Sequence, residues 1–214
     1  MITKKLATLL AAGAFVAPQL LAVPAPLPPG SSTAPPVGVV AGASVGTLSD
    51  SFANSLYSGE VDSAVYSGNP ANPFGGLTFV YQVELDPNVA GNEEENVRRF
   101  SGFPFTDFLT AVEQEPVLGG QASILATRTA DGSTVGFEFS VLGDTFNEGE
   151  VSYFLIVHTD ATLFRTGIGA VINGASSNMD ILVPAVTPVP DGGTTAMLLG
   201  LGVIGLAGIR RKLS

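Results

Sequence analysis

The sequence contains no cysteine and no tryptophan. Without cysteine the chain cannot form disulfides, Cys-ligated zinc sites or iron–sulfur clusters, and it has no thiol for nucleophilic catalysis. The lack of tryptophan weakens a lectin interpretation, because a wide aromatic ring is the best surface for stacking a sugar. Smaller aromatic residues could take that role. Five of them fall in or near expected loops: Tyr57, Tyr66, Phe74, Phe103 and Phe105.

Basic residues are scarce between the two ends of the chain. Residues 23–190 contain four arginines and no lysine against 18 acidic residues. Binding to phosphate backbones needs clustered basic side chains, so this composition argues against a nucleic-acid partner. His158 is the only histidine, and any histidine general base would have to be this residue. Its place near the end of an apolar run instead favours a hydrogen-bonded structural role.

The N-terminus has the layout of a signal peptide over residues 1–22. Lys4 and Lys5 precede an uncharged apolar run, Leu6–Val16, which is too short to span a bilayer. We expect signal peptidase to cut near Ala22, although a buried N-terminal helix is the alternative. Residues 23–44, rich in proline and glycine, are expected to form an extended spacer.

The C-terminus combines a short polar signature, an uncharged stretch and a basic tail. Residues 194–209 would reach roughly 24 Å as a helix, against a hydrocarbon core of about 30 Å. The basic tail belongs on the cytoplasmic side of an inner membrane, which places the body of the chain outside the cytoplasm. The signature is Val189, Pro190, Asp191, Gly192 and Gly193, and the tail is Arg210, Arg211 and Lys212.

This arrangement resembles the PEP-CTERM class of bacterial sorting signals, in its VPDGG variant, over residues 188–214. The resemblance implies that an exosortase-like enzyme processes the chain near residues 189–193. It also implies transient anchoring in the inner membrane, delivery to the cell surface or outside the cell, and a link to exopolysaccharide and biofilm. A permanently tail-anchored periplasmic protein has the same topology and remains the alternative.

Residues 45–187 have the pattern of an all-β domain. Apolar and polar residues alternate in several short runs, although Val80 interrupts the polar face of its run. Asp131-Gly132 and Asn173-Gly174 predict two tight turns. We expect an antiparallel β-sandwich, jelly-roll or Ig-like, with short helical pieces near 49–56 and 105–112. The expected strands are 59–66, 77–85, 97–103, 123–129, 134–141, 151–159, 168–172 and 179–183.

Two patterns suggest chemistry in this domain. Gly42–Gly46 fits G-x-S-x-G around Ser44, and Asp131 or Asp144 followed by His158 completes the chain order of an α/β-hydrolase triad. That motif needs a strand, a sharp turn and a helix, which the sequence does not predict here. Calcium is a second hypothesis, because it takes clustered carboxylates. Its candidate ligands are Glu93, Asp144, Glu148 and Asp160.

The interpretation that the sequence favours is an exported, non-enzymatic surface or matrix protein without a catalytic residue, cofactor or metal. Residues 189–193 would then be acted upon by another enzyme. The alternatives are a secreted hydrolase and a carbohydrate- or calcium-binding surface module.

Overall fold

The computed structural model describes residues 23–87, 97–139, 146–147 and 149–186, and these residues contain strands but no helix. The segments interpreted as signal peptide and sorting signal lie outside them. The strands are β1 (Ala25–Pro26), β2 (Ser32–Thr33), β3 (Ala43–Ala53), β4 (Ser58–Ser67), β5 (Thr78–Leu85), β6 (Arg99–Phe103), β7 (Thr110–Glu115), β8 (Leu125–Arg128), β9 (Val135–Glu138), β10 (Phe154–Thr159), β11 (Leu163–Asn173) and β12 (Ala175–Ala185).

The strands form two six-stranded sheets. Sheet I has the order β1-β7-β10-β5-β4-β3, and sheet II has the order β12-β11-β6-β9-β8-β2. Every pair of neighbouring strands is antiparallel. The expected all-β class and β-sandwich architecture are therefore confirmed.

The core lies between the sheets because one face of each strand is apolar. On β5, Phe79, Tyr81 and Val83 point inward and are at most 1% exposed. Sheet II supplies facing aromatic side chains, and Tyr81 packs against Phe100 with ring centroids 5.3 Å apart. The Tyr81 hydroxyl donates a 2.7 Å hydrogen bond to the carbonyl of Leu182, which ties the two sheets together. Burial raises the pKa of Tyr81 well above its usual value.

Both turns expected from glycine occur. Gly132 has φ +72° in the β8–β9 connection, and Gly174 has φ +71° between β11 and β12. In both places the backbone adopts the left-handed region that glycine enters without steric cost. The predicted hairpins are confirmed by the registers of β8 with β9 and of β11 with β12.

The helical pieces expected near 49–56 and 105–112 are wrong. β3 occupies the first region and pairs along its length with β4. β7 begins in the second region only at Thr110, after a turn at residues 106–107, and is hydrogen-bonded to β1 on one side and β10 on the other. Pairing with neighbouring strands decides such short segments, because isolated helices of this length gain too little from local propensity.

Residues 23–44, expected to act as an extended spacer, contribute β1, β2 and the start of β3 and are packed onto the sandwich. Leu27 is fully buried in the core, β1 extends sheet I and β2 extends sheet II. The chain then returns to sheet I, where Gly38 donates a 2.9 Å hydrogen bond to the Gln114 carbonyl. Residues 36–42, called the covering segment below, run from β7 toward the end of β4.

Candidate functional site

The residues of the sorting hypothesis lie outside the described part of the chain. They are the signature Val189–Gly193, the basic residues Arg210, Arg211 and Lys212, and the cleavage position near Ala22. The sites described below therefore belong to the part of the chain between these two ends.

The hydrolase triad is not assembled. Ser44 lies at the exposed start of β3, beside a β-bulge between Ser44 and Gly46, and not on a strand-to-helix turn. Cross-strand pairing places it three strands from His158, roughly 14 Å away at about 4.8 Å per strand. Asp131 belongs to the β8–β9 turn in sheet II, and Asp144 lies outside the described residues.

The calcium candidates do not form a described cluster. Glu93, Asp144 and Glu148 fall outside the described residues, and Asp160 accepts a 2.9 Å hydrogen bond from the Leu109 amide. Within residues 23–87, 97–139, 146–147 and 149–186, no three acidic or histidine side chains come close enough together to hold a metal ion.

The aromatic candidates divide between core and surface. Tyr57 and Phe105 are buried, and the Tyr57 hydroxyl donates to the carbonyls of Val171 and Ala175. Phe103 is 43% exposed on sheet II. Tyr66 is half-buried on the outer face of sheet I, the face turned away from sheet II, where it lines a groove.

This outer-face groove has a volume of about 310 Å³. Residues directly opposite each other on neighbouring antiparallel strands share a face, so the strand registers define rows of side chains across sheet I. The rows are Ser49–Asp62–Gln82, Thr47–Ala64–Val80–Ile156 and Ser44–Tyr66–Thr78–His158. Phe154, two residues before Ile156 on β10, extends the Ser49–Asp62–Gln82 row.

Polar groups at the groove are available to a ligand. Within the described part of the chain, neither the Asp62 carboxylate nor the Tyr66 hydroxyl has a hydrogen-bond partner. The Gln82 amide donates to the Ser152 carbonyl at 3.2 Å, and Ser49 donates to Glu60. The groove thus combines the Asp62 carboxylate and the Tyr66 hydroxyl with apolar surface from Val80 and Phe154.

A second polar constellation lies on the same face but is buried. His158 Nε2 is 2.9 Å from Glu113 Oε2, and His158 Nδ1 is 3.1 Å from Thr78 Oγ1. A hydroxyl, an imidazole and a carboxylate are thus connected, as in nucleophilic catalysis. However, all three residues are completely buried, so no substrate can reach the hydroxyl in this conformation. The arrangement suits a structural hydrogen-bond network.

The covering segment lies over the Thr78, His158 and Glu113 side chains on the outer face of sheet I. The backbone of Gly38 lies so near Glu113 that a Cβ at Gly38 would be 2.4 Å from the carboxyl group. The Val40 amide donates a 2.7 Å hydrogen bond to Glu115 Oε2, the next outward-facing carboxylate of β7. Glu113 Oε1 has no partner among the described residues.

Arg128 is the buried cation of sheet II, and its contacts are structural. The guanidinium donates hydrogen bonds to the carbonyls of Gly132, Leu27, Phe105 and Phe108. It also donates to the Thr110 hydroxyl. Burial lowers its pKa, and the charge of Asp160 opposes that shift. Because its donors are engaged by the protein itself, this arginine is not available to an anionic ligand.

Sequence reasoning missed both the groove and the Glu113–His158 contact. Glu113 stands in Thr110–Glu115, where Ala111 and Val112 are adjacent and three polar residues follow them, so the segment lacks the alternation that indicates a strand. Its partner on β10 lies 45 residues later, and only the strand order brings the two together. Similarly, Thr47, Ala64 and Val80 become neighbours only through the register of β3, β4 and β5.

Comparison with known proteins gives one result, at the C-terminus. Residues 188–213 match the family described as VPDSG-CTERM motif. Neither the curated proteins nor the solved structures include a match to the chain. In the described residues no helix is long and apolar enough to cross a membrane, and residues 188–213 are not among those residues. The chain carries a PEP-CTERM-like C-terminal sorting signal, which indicates an exported surface protein.

Proposed function

We propose that this chain is an exported, non-enzymatic surface or matrix protein that an exosortase-like enzyme processes and that associates with extracellular polysaccharide. The observation that carries the proposal is the match of residues 188–213 to a C-terminal sorting motif. The charge pattern of the ends supports it. Lys4 and Lys5 precede the first apolar run, and Arg210, Arg211 and Lys212 follow the last one.

The position of the last strand is compatible with processing at the signature. β12 ends at Ala185, and the signature begins at Val189. β12 is an edge strand of sheet II whose whole length pairs with β11, so its loss would remove core residues such as Ile181 and Val183. A cut within residues 189–193 leaves this strand and the core intact.

The non-enzymatic part of the proposal is supported by the outcome for the hydrolase candidates. Ser44 is separated from His158 by two intervening strands. The hydroxyl that does contact His158, Thr78 Oγ1, is buried beneath the outer face. Neither hydroxyl therefore combines an adjacent base with access for a substrate.

Intact-mass analysis of the protein from producing cells tests the sorting proposal. Cells would be fractionated into membrane, surface and medium, and the mass of the chain measured in each. We expect a surface or medium species that lacks about residues 1–22 and everything beyond the signature. The matched variants are Asp191→Ala in the signature and Asp180→Ala on β12, because both remove one carboxylate near the C-terminus.

The two variants separate processing from general damage. Asp191→Ala should accumulate in the membrane fraction with its C-terminus attached, because the processing enzyme no longer recognises the signature. Asp180→Ala should be processed as in the unmodified protein. If the unmodified chain keeps its C-terminus through Ser214 and stays in the membrane fraction, the protein is tail-anchored and the sorting proposal is wrong.

A further inference from the structure

We propose that the outer-face groove of sheet I binds a neutral saccharide chain, which lies across strands β3, β4, β5 and β10. This inference rests on the proposed association with extracellular polysaccharide and gives it a site. The groove is lined by Thr47, Ser49, Asp62, Ala64, Tyr66, Val80, Gln82 and Phe154, together with Leu48 and Ser63.

The shape follows from the sizes of the side chains in the three rows. The middle row places the small residues Thr47 and Ala64 beside Val80. The longer side chains of Asp62 and Gln82 stand on one side of this row, and Tyr66 stands on the other. A depression bounded by taller rows therefore crosses the strands. Four strands at about 4.8 Å spacing give it a length of roughly 14 Å, which suits an extended polymer better than a compact molecule.

The side chains of the groove suit both the C–H face and the hydroxyl groups of a sugar. Tyr66 and Phe154 are half-buried aromatic side chains that present apolar surface, against which the C–H face of a sugar can pack. The free carboxylate of Asp62 accepts hydrogen bonds from hydroxyl groups, and the free hydroxyl of Tyr66 can donate or accept. Hydrogen bonds to an ionised group are the stronger kind, so Asp62 should contribute substantially to affinity.

The charge distribution selects a neutral ligand over an acidic one. The four arginines of the body belong to sheet II or lie next to it: Arg98 precedes β6, Arg99 is in β6, Arg128 in β8 and Arg165 in β11. The strands of sheet I contain no lysine or arginine, and their single histidine, His158, is buried against Glu113. Asp62 lies in the groove, and Glu60 and Glu84 form the neighbouring cross-strand pair on the same face. A uronate or sulfate polymer would therefore meet carboxylates without a compensating cation.

Binding to defined polysaccharides tests this inference with the purified full-length chain. The detergent should have a polyoxyethylene headgroup, because a sugar headgroup would compete for the groove. The probes are the neutral polymers dextran, laminarin and galactomannan, and the anionic polymer polygalacturonate. We expect saturable binding to at least one neutral polymer, with little dependence on salt, and no binding to polygalacturonate.

Three substitutions locate the binding site. Asp62→Asn removes the charge of the acceptor, and Tyr66→Ala removes both the aromatic ring and its hydroxyl. Each should weaken binding about tenfold, since hydrogen bonds to an ionised group are roughly twice as strong as neutral ones and a ring adds packing to its hydrogen bond. Ala64→Leu fills the depression without removing a polar group and should abolish binding. Glu84→Gln, on the same face but outside the groove lining, is the matched control and should bind as the unmodified chain does.

The inference is overturned if no neutral polymer binds saturably, or if the groove variants bind as tightly as Glu84→Gln does. Preferential binding of polygalacturonate also contradicts it. If Ala64→Leu instead changes the oligomeric state and leaves saccharide binding intact, the groove is a contact between copies and the inference is wrong. These results do not depend on processing, so a failure here is distinguishable from failure of the sorting proposal, which is measured as chain mass and location.

Discussion

His158 and Glu113 contact each other across neighbouring strands of sheet I, with Nε2 2.9 Å from Oε2, and neither side chain reaches solvent. Buried polar groups are costly unless they are paired, so this contact holds two otherwise unfavourable residues in place. It also links three parts of the fold. His158 is on β10, Glu113 is on β7, and Gly38 of the covering segment lies against the Glu113 carboxyl.

Removing one member of the pair should destabilise the protein strongly. We expect His158→Ala or Glu113→Ala to lower the free energy of unfolding by about 3–5 kcal/mol, because each leaves its partner buried and unpaired. Denaturant unfolding of the full-length chain measures the effect. Glu84→Gln, an exposed carboxylate on the same face, serves as control and should change stability by less than about 0.5 kcal/mol.

The double variant His158→Leu/Glu113→Leu separates pairing from packing. Replacing both polar groups by apolar ones removes the unpaired charge, so its cost should be well below the summed cost of the single leucine variants. Additive costs in this cycle would show that the two residues stabilise the fold independently, and our interpretation of the contact would be wrong.

Gly38 should tolerate no side chain while Glu113 is present. In Gly38→Ala the new methyl group would overlap the Glu113 carboxyl group. The shifts needed to remove this overlap should lower the free energy of unfolding by about 1–3 kcal/mol. In a Glu113→Ala background the same substitution should cost much less, since the obstructing group is gone. Thermal or denaturant unfolding of the unmodified chain, the two single variants and the double variant gives the comparison. Equal costs of Gly38→Ala in both backgrounds would contradict the steric explanation.

The sequence predicted most strands because their signal is local. The alternation in Val135–Glu138 and the Asp131-Gly132 turn specify a hairpin within a few residues. The apolar middle of residues 151–159 also indicated a strand covered on both faces, and β10, Phe154–Thr159, is central and buried on both sides. What covers its outer face was not predictable, because the covering segment gives no periodic signal and is held by a few separate hydrogen bonds to β7.

Val80 shows why the groove could not be predicted. In the sequence it interrupts the polar face of its strand, which suggested only an imperfect alternation. In the fold it is 5% exposed on the outer face, between Ala64 of β4 and Ile156 of β10. Its burial depends on the registers of two further strands, and register is set by pairings between distant segments. The shape of a surface on a sheet is therefore a property of the assembled strands.

Arg128 should be essential for folding although it forms no salt bridge in the described residues. Arg128 is 5% exposed, and its guanidinium donates to four backbone carbonyls from three separate segments. Arg128→Met keeps much of the apolar stem but leaves these carbonyls without donors, so we expect a loss of about 3 kcal/mol or more in unfolding free energy.

Arg99→Met is the matched control for this prediction. Arg99 is also in sheet II, but its 2.7 Å salt bridge to Glu138 is about a quarter exposed on both sides. Partly exposed pairs contribute little, so this variant should lose no more than about 1 kcal/mol. If the two arginine variants lose similar amounts of unfolding free energy, the hydrogen bonds from Arg128 to buried carbonyls stabilise the fold no more than the partly exposed Arg99 salt bridge does.

Asp131 should make the stability of the β8–β9 turn depend on pH. The Thr129 hydroxyl, followed by the Ser133 amide and hydroxyl, donates hydrogen bonds to this carboxylate and lowers its pKa from 3.8 to about 2. The folded state thus prefers the ionised form. The resulting stabilisation is fully present above pH 3.8 and is lost as the pH falls through about 2, where the folded carboxylate is protonated.

Comparing the unmodified chain with Asp131→Ala tests this dependence. The difference in unfolding free energy between the two should be constant near neutral pH and should shrink as the pH is lowered from above 3.8 toward about 2, because the variant lacks the titrating group. Nuclear magnetic resonance titration of the Asp131 carboxyl carbon gives the folded-state pKa directly. A titration midpoint near 3.8, or a difference that stays constant throughout this acid range, would show that the turn hydrogen bonds do not favour the carboxylate in solution.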